Sequence, residues 1–240
     1  MAAGFRHKRF QMLREIGDKH FPIWLLGDSN PVNWDEQLEA PLDPKHPARH
    51  NIWTPIIDGI QDRLFRERRM RVETREMYVR NAIENAREKP DRKDGVWGEK
   101  LDQEVGSFGE LLKQYKPLLL MTFGAFSYEF ARRALNQRPE YEHRHWGAKT
   151  LGSSFQEAIG AIHLNRVNML PVLHTTIARR HFIKSHNYFC GYEGANYFEN
   201  VAWSIADFLI QNHYRPELST LWIGSPAAAA TDSKIDRRVQ

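Results

Sequence analysis

The sequence predicts an α/β protein: a three-layer α/β/α arrangement around a central four-stranded, mainly parallel sheet. Two patterns carry that reading. Short continuous apolar runs alternate with amphipathic stretches of helical period, as βα units do. Three of those runs, FPIWLL (21–26), KPLLLMTFGAF (116–126) and MLPVLHTTI (169–177), are apolar on both faces, as buried parallel strands are.

In chain order, residues 1–20 read as an amphipathic helix, with Phe10, Leu13 and Ile16 at three-residue spacing. FPIWLL gives the first strand, and it ends at Gly27. GDSNP then supplies turn-forming residues, and a proline- and histidine-rich loop runs to about residue 51. TPIIDGIQDRLFRER (54–68) reads as a helix capped by Thr54, with Pro55 in its first turn and Ile56, Ile60 and Leu64 on one face. EMYVRNAI (76–83) is the second strand, turning at Asn81. Residues 84–110 are polar and glycine-bearing, and read as an inserted loop region with at most one short helix. The third strand closes at Gly124, and SYEFARRAL continues as a helix. FQEAIGAIHL is a weak helix. The fourth strand has His174 near its end, and NYFENVAWSIADFLIQ (196–211) is an amphipathic helix. The expected organisation is one domain over 1–225, followed by a disordered tail at 226–240.

The composition narrows the classes of function. The 240 residues carry a formal charge of +4, with a mean hydropathy of −0.62 and a pI near 9.2. That balance permits a polyanionic partner without requiring one. A lone cysteine, Cys190, rules out an internal disulfide and a four-cysteine metal site. No stretch is apolar enough for a leader or a membrane span, so a cytoplasmic, membrane-free monomer is expected. Arg63, Arg66, Arg68, Arg69 and Arg71 crowd one segment. His46 with His50, and His143 with His145, are spaced like metal ligands but lack a third partner, so neither metal nor cofactor is expected.

Each strand ends in a polar cluster, and in doubly wound sheets ligands bind beyond the carboxyl ends of the strands. Those clusters supply Asp28, Ser29, Asn30, Asn81 and His174. Two chemistries fit. GDSN after a first strand resembles the opening block of the GDSL serine esterases, with Ser29 as nucleophile. The only Asp-x-x-His pair, Asp43 to His46, lies too early to complete that machinery.

The second resemblance covers roughly residues 21–210. LLGDSNP, YVRNAI, LLLMTFGAF and LPVLHTTIARRHFIKSHNYF are similar, in order, to the four motifs of the uracil-DNA glycosylase superfamily. The resemblance implies a DNA glycosylase that flips a pyrimidine out of DNA and hydrolyses its N-glycosidic bond, leaving an abasic site. It makes Asn30 or Asp28 the water-positioning residue and His174 the donor to the departing base. It makes Asn81 the reader of the base edge. Gly27, Ser29 and an aromatic platform drawn from Trp34, Trp53 and Phe126 complete the pocket. Thr175, Thr176, Arg179, Arg180, His181 and Lys184 would contact DNA, with His181 or Phe182 filling the gap left by the flipped base.

Two departures bear on the substrate. VNWDEQ, after Pro31, lacks the tyrosine that excludes C5 substituents, and HTT stands where the family has His-Pro-Ser. A roomier pocket follows, suited to a bulky C5-modified cytosine such as the glucosylated hydroxymethylcytosine of phage DNA. Some antiphage members of the superfamily act on such bases. Uracil is the alternative substrate, and a non-catalytic binder of modified DNA is the third reading of the chain.

Overall fold

The computed structural model describes residues 15–30, 38–45, 53–90, 96–174, 186–194 and 196–224. Its centre is a five-stranded sheet of β1 (Glu15–Ile16), β2 (Ile23–Gly27), β3 (Tyr78–Asn81), β4 (Leu119–Phe123) and β5 (Asn168–Val172), in the order β1-β3-β2-β4-β5. Four strands are parallel and β1 alone runs antiparallel. Leu25 lies level with Val79 on one side and Met121 on the other, and Met121 with Leu170. These strands are buried throughout, which is why they read as unbroken apolar runs. Pro171 is tolerated because β5 is the sheet edge.

The helices are α1 (Thr54–Arg68), α2 (Glu99–Tyr115), α3 (Ala125–Ala134), α4 (Ala148–Gly160), α5 (Asn187–Cys190) and α6 (Tyr197–Asn212). The connection β2–α1–β3 crosses the sheet in one direction and β3–α2–β4 in the other. Right-handed crossovers therefore put α1 and α2 on opposite faces. α6 packs along α1, where Gly59 lets Ala202 approach, and α2 packs along α3 through Phe108 and Phe130. Trp24 of β2 anchors the α2 face, stacking near Tyr78 with Phe108 and Tyr115 beyond.

Three expectations need correction. The sheet has five strands, not four, because Glu15–Ile16 is a strand rather than the end of a helix. Gly17, at φ +101, breaks any helix there and lies so close to the Met77 carbonyl that no side chain would fit. From residue 99 onward the expected inserted loop, 84–110, is instead part of the long helix α2 (Glu99–Tyr115). Its buried Leu101, Phe108 and Leu112 keep helical spacing, but Gly106 and Gly109 masked the pattern. Gly109 is there because its Cα faces the Ala134 carbonyl, with room for no Cβ. Finally, Trp53, not Thr54, occupies the cap position of α1, and no side chain caps that end.

Candidate active site

In an open parallel sheet a crevice forms where adjacent strands send their connections in opposite directions. Here that point lies between β2, which leads toward β3, and β4, which leads toward β5. The carboxyl ends of all four parallel strands meet around it.

Asp28 follows directly on β2. Its Oδ1 accepts the Ser127 backbone N–H at 3.2 Å, and its Oδ2 accepts Lys89 Nζ at 2.7 Å. Ser127 lies in the first turn of α3, so the carboxylate sits where the helix end is positive. The side chain keeps 17% of its exposure. Lys89 arrives from the other side of the crevice. A 3-10 turn at Ala86–Glu88, capped by the Asn85 side chain, delivers it, and its ammonium lies 5.6 Å from the centre of the Phe126 ring.

His174 leaves β5 two residues beyond Val172. It packs against Gly124, whose φ of +98 and missing Cβ let strand β4 turn into α3 at that spot. Burial pushes the His174 pKa below the usual imidazole value. The charge of Asp28 opposes that shift and the charge of Lys89 adds to it. Asp28, Lys89 and His174 thus form one electrostatic group at the switch point.

Asn30 and Asn81 form a second, deeper pair. Asn81 Nδ2 donates to Asn30 Oδ1 at 2.5 Å, and only 3% and 7% of the two residues is exposed. The pair exists because Gly27 has no side chain: a Cβ there would stand 2.5 Å from Asn81 Oδ1. Backbone bonds from Ala82 to Gly27 and from Ile83 to Asp28 lock the ends of β2 and β3 together. Asn30 Oδ1 accepts from Asn81 in the interior, whereas Asp28 is the more exposed, charged acceptor.

The other predicted residues fall out differently. Ser29 is half-buried. Trp53 is 1% exposed and packs edge-on against Phe123, in the core. Phe126 is buried at the rim, stacked on Trp97 at 5.5 Å. His143 lies edge-on to Phe126, while His145 stacks on Tyr141. Among the described residues no three potential ligands are grouped for a metal, and no helix is long and apolar enough to cross a membrane. Trp34, Thr175, Thr176, Arg179, Arg180, His181, Lys184, His46 and His50 lie outside the described residues, as do the amino-terminal segment and the tail.

Sequence reasoning missed Lys89 and Ser127. Lys89 was one cation among many in a polar stretch. Ser127 acts through its backbone, which leaves no trace in residue type. A groove of about 640 Å³ beside His163, Asp207 and Arg215 lies at the opposite end of the sheet. No family model and no curated protein matches the chain.

Proposed function

We propose that this protein is a DNA glycosylase of the uracil-DNA glycosylase type. It would hydrolyse the N-glycosidic bond of a pyrimidine flipped from DNA and leave an abasic site. The observation that carries the reading is that Asp28, Asn81 and His174 lie at or just beyond the carboxyl ends of parallel strands of one sheet, with the charge of Asp28 acting on the His174 ring and Asn81 bonded to Asn30. Those residues come from three of the four segments that resemble the family's motifs, in the same order.

The chemistry follows from the charges. Cleavage of the glycosidic bond leaves positive charge on the sugar and negative charge on the base. Asp28 stabilises the first and orients the attacking water. His174, kept neutral by burial, donates a hydrogen bond to the departing base oxygen without a net charge of its own. Asp28 is charged and less buried than Asn30, so it is the stronger candidate for the water. The amide of Asn81 suits a pyrimidine edge. The lost tyrosine points to a C5-modified cytosine, with uracil as the alternative. DNA is the partner, no metal is needed, and a cytoplasmic monomer fits the composition.

The test is a panel of single strands and duplexes carrying uracil, hydroxymethylcytosine or its glucosylated form. Abasic product is read as alkali-labile cleavage. His174→Ala should slow release of the base about a hundredfold or more while DNA affinity stays within a few fold, since phosphate contacts dominate affinity. Absence of abasic product from every substrate overturns the enzyme reading.

A further inference from the structure

The arginine-rich stretch noted in the sequence does not belong to the crevice. α1 starts beside the carboxyl ends of the strands and finishes at their amino ends, so Arg66, Arg68, Arg69 and Arg71 lie at the far end of the molecule. Arg63 is separate from them. It is neutralised by Glu67 and Asp207 and lies over the Trp203 ring. The other four are exposed, and among the described residues none lies within ion-pair distance of a carboxylate.

The fold holds this charge in place. Arg69 ends α1 in the left-handed conformation, at φ 56, and the chain doubles back along the helix. The Gln61 side chain fastens the returning strand at both polar atoms of Val72, donating to its carbonyl at 2.9 Å and accepting its N–H at 2.8 Å. The Ile223 N–H donates to the Arg71 carbonyl at 3.0 Å. The result sets the guanidinium groups of Arg69 and Arg71 against the half-exposed Phe65 ring, at 5.2 and 4.6 Å from its centre. Residues 225–240, which follow directly, carry Lys234, Arg237 and Arg238 against Asp232 and Asp236, so this chain's own tail is no acidic partner for the patch.

We infer that this pinned arginine platform binds the phosphate backbone of a second nucleic-acid strand, on the face away from the crevice. Planar guanidinium groups fork onto phosphate oxygens, and ring-supported ones also offer a face to unpaired bases. Because Gln61 and Ile223 fix the returning strand in advance, less ordering is left to be done on binding. Holding a second strand rests on the crevice binding the first, as proposed above; the salt-dependent binding of the patch itself does not.

The experiment measures binding of the full chain to a labelled strand and a duplex of roughly thirty nucleotides across a salt series. The variant carries Arg66→Gln, Arg68→Gln, Arg69→Gln and Arg71→Gln. Loss of up to four phosphate contacts should lower the salt slope on duplex by about 3–4 and weaken binding at low salt more than tenfold. A second variant with Arg66→Gln and Arg68→Gln alone, which touches none of the bonds that pin the returning strand, should remove about half of that slope. Wild type should also hold a second labelled duplex on an immobilised one, and the fourfold variant should not. An unchanged salt slope in the folded variants overturns the inference, as does patch-dependent binding to anionic vesicles without binding to DNA.

Discussion

Two ion-paired carboxylates, Asp28 and Glu129, differ in how fully they are satisfied, and the contrast between them shows where chemistry can occur. Glu129 of α3 is fully buried and takes four donors. The Tyr141 N–H and Arg133 Nε reach one oxygen, and Trp146 Nε1 and an Arg132 guanidinium nitrogen reach the other. Arg132 is itself packed over the Tyr141 and Trp146 rings. Nothing is left for a substrate or a water to bind. Asp28 accepts one backbone donor and one ammonium, keeps some exposure, and faces a histidine whose ionisation it influences. A saturated carboxylate fixes structure. A partly satisfied one at a switch point retains an acceptor for a reacting group.

The contrast is broken most directly at Glu129. Glu129→Ala leaves buried Arg132 without its carboxylate and Arg133 with Glu140 alone, and loss of one partner from a buried network costs about 3–5 kcal/mol. The midpoint of urea unfolding should fall accordingly. A loss below about 1 kcal/mol would mean the network is not what holds α3 to the Tyr141–Trp146 segment. The second effect is smaller. Gly27→Ala drives a Cβ into the Asn81 amide and should cost about 1–3 kcal/mol. The same variant should lose base release disproportionately if Asn81 reads the base. Equal loss of stability and activity would make the asparagine pair purely structural.

The parts of this architecture that the sequence disclosed are those where burial dictates residue type. β2, β4 and β5 had to be apolar on both faces and read as such. The strand-end residues Asp28, Asn30, Asn81 and His174 were visible because each polar residue interrupts an apolar run at its carboxyl end. What stayed hidden had other causes. β1 is two residues long and is held by Gly17 and by Glu15, which accepts from Tyr78 and Arg80 across the sheet. α2 was hidden by glycines that serve close packing. Lys89 was hidden because an ion pair across 61 residues leaves no local pattern.

Asp28→Asn sharpens the comparison from the other side. The amide keeps the shape and can still accept from Ser127, but it loses the ion pair with Lys89. Because both partners of that pair are partly solvated, the stability change should stay near 1 kcal/mol or less. Release of the base should fall about a hundredfold. A stability loss as large as that of Glu129→Ala would place Asp28 with the structural carboxylates.

The smallest effect is the most specific to the group. Burial holds His174 neutral in the folded protein at pH values where the unfolded chain, with the ordinary value of 6.5, takes up a proton. Stability contributed by the neutral ring is therefore complete above that value. It declines as the pH falls through it, until the folded ring also protonates. Lys89 adds to the downward push, so Lys89→Met should raise the His174 pKa toward 6.5 and reduce the acid loss. Asp28→Asn should move it in the opposite direction. Titration of the imidazole resonances, with unfolding midpoints at about pH 5 and about pH 7.5, reads both shifts. Opposite displacements show that the ammonium and the carboxylate act on one ring. Displacements of the same sign, or none, would separate His174 from Asp28 and leave the crevice without its proposed pair.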